Sequence, residues 1–133
     1  YGPNSTSGKT VESTSAIIPA GAKVTFGGWI YGLNTGVGGS YTINFNNQTV
    51  KTETKYNCYN PSYAIDFSYT TSAEETLSIS AWANSIEQDY QGLVISKGHT
   101  YIYIKSIVDN ETGVQYTLKW YKTKGCALDG DFW

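Results

Sequence analysis

The chain has 133 residues, enough for one ordinary domain with a buried core, and a formal net charge of −2. Charged residues make up only 15% and aromatic residues another 15%, including twelve tyrosines, so this tyrosine-rich surface is predicted to be polar but weakly charged. Without a basic stripe, nucleic acid is excluded as a partner, and without an apolar run near the roughly 20 residues that cross a bilayer, no transmembrane segment is predicted.

The N-terminal segment, residues 1–14, reads YGPNSTSGKTVEST and is uniformly polar. It is predicted to be an extended or mobile arm, with residues 15–133 forming a single domain. The sequence begins without methionine, which is typical of a secreted chain whose signal peptide has been removed. We therefore expect a protein that acts outside the cell or at its surface.

From residue 23 onwards the apolar pattern has a period of two, which is typical of β-strands. KVTFGGWIY alternates apolar positions with outward-facing Trp29 and Tyr31, and its glycine pair Gly27–Gly28 indicates a bulge or a close neighbour. Further strands are predicted, with a turn at Asn46–Asn47. They lie within residues 41–54, 63–70, 76–84 and 92–96.

The segment 98–123, GHTYIYIKSIVDNETGVQYTLKWYKT, is predicted to form a hairpin around the loop DNETG. In the register set by that loop, Ile102 lies opposite Trp120 on the core side. Tyr101 then lies opposite Tyr121 on the outer side. The same alternation predicts an inward Val108 and an outward Ile107.

Short strands with turns at about ten-residue spacing, and no 3.6-residue stripe, indicate an all-β fold. The prediction is an antiparallel β-sandwich, jelly-roll-like, in which a single turn within residues 84–91 is the best helical candidate. Cys58 and Cys126 most simply form one disulfide in an exported protein, and closing that long loop would stabilise the fold by roughly 4 kcal/mol. The alternative is two unpaired thiols in a reducing compartment.

Residues 95–120 place Gly98, Tyr101 and Tyr103 in one strand and Tyr116 in the next. These positions match the G-x-x-Y-x-I-x-I and Y-x-L strands of a known hairpin. The segment, about a fifth of the chain, resembles the C-terminal hairpin of bacterial pre-peptidase C-terminal and collagen-binding domains. The resemblance implies a jelly-roll fold, and no binding residue is carried over because the calcium-ligand stretch of that family is not visible here.

Aromatic side chains on the outer face are the candidate binding site. Such rings stack against the C–H face of a sugar, and a weakly charged surface suits a neutral, polar saccharide. The alternative is that cross-strand tyrosine pairs only stabilise the sheet, by about 0.5–1 kcal/mol each. The candidate ligand-binding residues are Tyr101, Tyr103, Tyr121, Trp82, Trp29 and Tyr31.

No catalytic constellation is evident. The single histidine, His99, lies in SKGHTY, a predicted turn before a strand, and is interpreted as structural. Glycoside hydrolysis needs only two carboxylates across a cleft, which a small sandwich has little room for. The prediction is a protein without enzymatic activity.

Cofactors are not predicted either. Asp129 and Asp131 in LDGDFW are calcium candidates, but they offer fewer oxygens than the six to eight that Ca²⁺ takes. Asn4, Asn47 and Asn110 lie in N-x-S/T triplets that accept glycans in a secretory pathway.

Three classes of function remain. The first is an extracellular, lectin-like module that binds carbohydrate or a cell-surface glycan. The second is a structural subunit of a filament or surface coat, in which the polar arm self-assembles by strand addition. The third is a secreted toxin or bacteriocin whose aromatic DGDFW terminus acts at a membrane.

Overall fold

The computed structural model describes residues 4–9, 13–33, 35–88, 93–116 and 122–126, with side chains described in 15–33, 35–84 and 98–116. Within these ranges the chain forms strands and turns and no helix. The strands are β1 (Asn4–Lys9), β2 (Ser13–Ile18), β3 (Ala22–Tyr31), β4 (Gly38–Phe45), β5 (Gln48–Tyr56), β6 (Tyr63–Thr70), β7 (Glu75–Gln88), β8 (Leu93–Lys97), β9 (His99–Asp109) and β10 (Lys122–Cys126).

These strands form two antiparallel sheets. In the first sheet the long strand β7 pairs with β2 and β4 along its first half and with β1 and β8 along its second half, and β5 continues beyond β4. The second sheet has the order β10-β9-β3-β6. The predicted all-β, antiparallel architecture is confirmed.

The core lies between one face of each sheet. Alternation along β3 buries Val24, Phe26 and Ile30 completely, as the period of two predicts. Residues of both sheets join a single apolar cluster, so the sheets pack face to face. Its members are Ile18, Ala22, Val24, Phe26, Ile30, Tyr41, Ile43, Phe45, Ile65, Leu77, Ile79, Ala81, Ile102, Ile104 and Ile107.

A glycine and a buried threonine connect the sheets at one end of the core. The hydroxyl of Thr100 in β9 donates a hydrogen bond to the carbonyl of Trp82 in β7, at 2.8 Å. A Cβ added to Gly39 of β4 would overlap that hydroxyl and that carbonyl. Only glycine therefore allows this approach without a shift of the surrounding backbone.

The turn between β4 and β5 follows its prediction. Asn46 and Asn47 both adopt positive φ, of 51° and 63°, as a two-residue type I′ hairpin requires. Asparagine tolerates this left-handed region better than most residues.

Two details predicted for the hairpin after β9 are wrong: the register of the hairpin and the direction of Ile107. β10 pairs Tyr101 with Lys124 and Ile102 with Thr123, rather than with Tyr121 and Trp120. The predicted register assumed an unbroken ladder on either side of the loop. Instead, Val108 pairs with Gln115 next to the loop. Farther from the loop, β9 pairs with β10 in a register that differs from the register of that bridge.

A β-bulge in β9 overturns the second detail, the predicted direction of Ile107. The register with β3 passes from Phe26–Ile104 to Thr25–Ser106 and so leaves Lys105 as an extra residue. One extra residue reverses the alternation beyond it. As a result Ile107 is buried, and Val108 is only half-buried.

The predicted helical turn in residues 84–91 is also wrong, as far as residue 88. Residues 84–88 belong to β7, and their backbone pairs with β1 on one side and, from residue 85, with β8 on the other. Two neighbouring strands thus outweigh a short local helical pattern. Residues 89–91 lie outside the described ranges.

The N-terminal arm is extended where it is described. Asn4–Lys9 form β1 along the second half of β7, and Ser13 begins β2. The division of the chain into an arm of residues 1–14 and a domain of residues 15–133 stays a prediction.

No disulfide is found in the described part of the chain: Cys58 carries a free thiol, and the side chain of Cys126 lies outside that part. Cys126 pairs with His99 and His99 with Tyr31, whereas the carbonyl of Cys58 accepts from the amide of Gly32, next to Tyr31. The predicted disulfide between Cys58 and Cys126 is therefore not found among the described residues.

Candidate functional site

Five rings lie on the outward side of β3 and β9, and we call them the aromatic face: Trp29, Tyr31, His99, Tyr101 and Tyr103. The two strands are antiparallel neighbours, and their register pairs Trp29 with Tyr101 and Tyr31 with His99. Core residues such as Ile102 alternate with these positions, which points the rings away from the core. Each ring is half-buried.

The rings contact one another in two groups. The ring centroids of Trp29 and Tyr101 lie 4.8 Å apart at an interplanar angle of 48°, and those of Tyr101 and Tyr103 lie 5.4 Å apart at 35°. Tyr31 and His99 meet edge to face at 5.2 Å. These separations lie in the attractive range for aromatic pairs, so the rings hold one another in place.

Gly27 lies beside these rings and is covered by a neighbouring lysine side chain. It pairs with Tyr103 on one side and with exposed Asp66 of β6 on the other. A Cβ added here would lie 2.7 Å from Cδ of Lys105 and 3.1 Å from the hydroxyl of Tyr103. The methylene stem of Lys105 therefore lies across Gly27, next to the Tyr103 hydroxyl.

The predicted site residues separate into three groups. Trp29, Tyr31, Tyr101 and Tyr103 come together on the aromatic face. Trp82 does not join them, because it pairs with Ser40 on the outward side of the first sheet. Tyr121 lies outside the described residues, as do Asp129 and Asp131.

Three residues in or beside this face were not predicted from the sequence, namely His99, Gly27 and Lys105. The Gly27–Gly28 pair was a usable signal, because it predicted a close neighbour and the Lys105 stem is one. Nothing in the sequence marked Lys105, because its position follows from the bulge.

A separate cluster of polar side chains lies between β5, at the edge of the first sheet, and β6, at the edge of the second. The carboxylate of Glu53 accepts a short hydrogen bond from the hydroxyl of buried Tyr41 and another, at 2.5 Å, from Tyr63. Lys51 lies 3.8 Å from the carboxylate, and the ammonium of Lys55 lies 4.9 Å from the centroid of the Tyr63 ring.

These contacts set the protonation states of the cluster. Burial raises the pKa of Glu53, but the hydrogen bonds from Tyr41 and Tyr63 and the two nearby lysines outweigh it and hold the pKa below its usual value. Burial and the bond to Glu53 raise the pKa of Tyr41 well above its usual value. The bond to Glu53 likewise raises the pKa of Tyr63. The cluster is a neutral tyrosine pair around an ionised carboxylate, which is a stable arrangement and not a poised proton donor.

Two clefts open at the end of the sandwich that holds the turns. One, of about 290 Å³, is lined by Phe45 and Tyr69, whose rings stack at 4.2 Å, and by buried Glu75. Glu75 accepts from the Tyr69 hydroxyl and from the Ser72 amide, both at 3.0 Å, so its oxygens are engaged in holding the loop before β7. The other cleft, of about 400 Å³, lies between the turn at residues 20–21 and the turn after β9.

Metal ligation finds no support in the described ranges. No group of three or more His, Cys, Asp or Glu side chains is close enough there to hold an ion. In the acidic turn, Asp109 accepts from the backbone amides of Glu111 and Thr112, at 2.9 and 3.1 Å, and these bonds lower its pKa. That carboxylate closes the turn.

Two predicted glycan acceptors are accessible: Asn47 is exposed in the β4–β5 turn and Asn110 in the turn after β9. The side chain of Asn4, in β1, lies outside the described ones. Where the chain is described, it contains no helix with the length and apolar character needed to cross a membrane.

Comparisons with protein-family models, curated proteins and solved structures found no match to this chain.

Proposed function

We propose that this chain is a non-enzymatic, lectin-like module that acts outside the cell or at its surface and binds carbohydrate on the aromatic face. The observation that carries the proposal is the contacting group Trp29–Tyr101–Tyr103, held by cross-strand pairing on the outside of a rigid sheet. Contiguous apolar surface that stays partly exposed is a common feature of binding sites.

Sugar fits these rings for a chemical reason. The axial C–H groups of a pyranose pack against the flat side of an aromatic ring, and its equatorial hydroxyls need polar neighbours. The Tyr103 hydroxyl and the Lys105 stem lie together over Gly27 beside the rings, which supports a site with both kinds of contact. Within this proposal the sandwich is jelly-roll-like, since the chain crosses between the sheets from β2 to β3, β3 to β4, β5 to β6, β6 to β7 and β8 to β9.

A polysaccharide and glycan panel tests this proposal. We expect the purified protein to be retained by at least one immobilised saccharide and released by that sugar in free form. The double variant Tyr101→Ala, Tyr103→Ala should lose retention, and Tyr56→Ala, an exposed strand tyrosine of the first sheet, should keep it. Thermal melting of each variant separates lost binding from lost folding. Retention by no saccharide, or equal retention by both variants, would contradict the proposal.

Fluorescence provides a second readout of the same contact. Trp29 belongs to the contacting group, so sugar should change the emission of the wild-type protein. The change should be absent from Trp29→Phe, which keeps a ring at that position.

Self-assembly by strand addition is a second candidate, favoured by β1. Its residues 4–9 already pair along β7, and the same backbone groups would pair equally with β7 of another copy. At the opposite edge of the first sheet, β5 carries Lys51, Glu53 and Lys55 on its half-buried side, a pattern that disfavours strand addition there. Light scattering after size exclusion tests this candidate: a polymer that becomes monomeric on deletion of residues 1–9 supports it, and a monomeric full-length chain opposes it.

A further inference from the structure

We propose that the saccharide bound by the aromatic face is acidic, carrying carboxylate or sulfate groups, and that Lys105 pairs with those groups. This inference rests on the proposed carbohydrate site and adds the ligand class. It depends on how charge is distributed over the second sheet, which differs from that of the chain as a whole.

The bulge in β9 determines where Lys105 lies. Because the register with β3 skips this residue, Lys105 and Ser106 both lie on the outward side, between inward Ile104 and Ile107. The Lys105 stem crosses Gly27 beside the Tyr103 hydroxyl, and the residue is exposed. Its ammonium group therefore lies near the contacting rings, within reach of a sugar bound on them.

One further lysine lies on the outward side of the second sheet. Lys23 of β3 is exposed and pairs with Val108 of β9. Among the side chains that the structure describes, the outward side of β3 and β9 thus carries Lys23 and Lys105, on a chain whose net charge is −2.

Acidic residues are scarce on this face. Asp66, which pairs with Gly27 from β6, is the one acidic residue among the outward positions of the described second-sheet strands. The described side chains on this side, two lysines and one aspartate, sum to a positive charge on a chain whose net charge is negative, which favours an anionic ligand. Rings that take a pyranose, with Lys105 beside them, fit a sugar that carries acidic groups.

Single-stranded nucleic acid also combines stacking with negative charge. The chain has no arginine, whose planar fork recognises phosphate in two contacts, and its total charge is negative. These two features favour an acidic saccharide over single-stranded nucleic acid.

The experiment uses pairs of polysaccharides that share a backbone and differ in charge. Polygalacturonate is compared with its methyl ester, and dextran sulfate with dextran, on the purified full chain at low and at physiological ionic strength. We expect the acidic member of one pair to bind more tightly than its neutral partner, and the advantage to shrink with salt. The first pair reports carboxylate recognition and the second reports sulfate recognition.

Two substitutions of exposed residues should act in opposite directions. Lys105→Gln should weaken binding of the acidic polymer by about two- to fivefold at low salt, the range expected for one exposed charge pair. Asp66→Asn should tighten binding, because it removes the acid next to Gly27. Binding of a neutral sugar should change in neither variant.

The outcomes separate this inference from the proposed function. Equal binding of neutral and acidic members overturns the acidic ligand but leaves carbohydrate binding in place, whereas binding of no polysaccharide overturns both. If acidic polymers bind but the double variant Tyr101→Ala, Tyr103→Ala still binds them fully, the effect is plain ion exchange and the inference fails. Tighter binding to single-stranded oligothymidine than to any polysaccharide would also overturn it.

Discussion

Removal of one hydroxyl, in Tyr41→Phe, should destabilise the fold in a way that depends on the charge of Glu53. Tyr41 is 1% exposed, and its hydroxyl donates to the Glu53 carboxylate between the edges of the two sheets. A hydrogen bond to a charged group contributes about 1.5–3 kcal/mol, more than a neutral bond. Since unfolding entropy scales with chain length, this loss corresponds to a fall in Tm of about 5–10 °C for a domain of this size.

The stability lost through Tyr41→Phe should be smaller when residue 53 carries no charge. In a Glu53→Gln background the bond from Tyr41 becomes neutral, and Tyr41→Phe should then cost only about 0.5–1.5 kcal/mol. Tyr63→Phe is the matched control: its hydroxyl bonds to the other carboxylate oxygen, but the residue is only half-buried, so water can replace it at lower cost. Urea denaturation of the double-mutant cycle measures the coupling.

At acidic pH, Tyr41→Phe should cost the same stability with glutamate and with glutamine at position 53. The pKa of Glu53 is lowered in the folded state, so its stabilising contribution is complete above the unfolded value of about 4.3 and is lost as pH falls through the folded value. The reasoning is refuted if Tyr41→Phe costs the same with glutamate and with glutamine at position 53 at neutral pH, or if acid leaves the coupling unchanged.

Three further predictions concern other parts of the fold. Gly39→Ala should cost about 1–3 kcal/mol, because its Cβ overlaps the Thr100 hydroxyl, and Thr100→Ala should partly restore stability to the double variant in thermal melts. Thr71→Val should cost about 1–3 kcal/mol by leaving the buried Ala22 amide without the acceptor it has at 3.0 Å, whereas Thr71→Ser should cost less; an equal loss in both would contradict this. The carboxyl of Asp109 should titrate by NMR below the usual value of about 3.9, and its contribution to stability should fade as pH falls through that midpoint; a normal midpoint would show that its bonds to the turn amides are absent in solution.

Local pattern was sufficient for the class of fold. The direction of a strand side chain repeats every two residues, so Phe26, Ile30, Ile79 and Ile102 are identified as core positions without knowledge of their neighbours. The turn at Asn46–Asn47 was equally predictable, since its backbone requirement is met by two consecutive residues. The aromatic character of the outward side of β3 and β9 follows from the same alternation.

Pairing between distant strands determined which of the outward aromatic residues share a surface. Trp82 and Tyr101 both point outward by their local pattern, yet β7 lies in the first sheet and β9 in the second, so the two rings cannot share a surface. A sequence period states which side of its own strand a residue occupies, but not which sheet the strand joins.

The bulge in β9 is the clearest case of tertiary control. The extra residue Lys105 reverses the alternation and buries Ile107 in place of Val108. It also lays the lysine stem across Gly27, a residue 78 positions earlier in the chain. The sequence by itself determined two antiparallel layers with aromatic outer positions, because these depend on local alternation; the composition of the aromatic face and its charge depend on register between strands, which only the tertiary structure establishes.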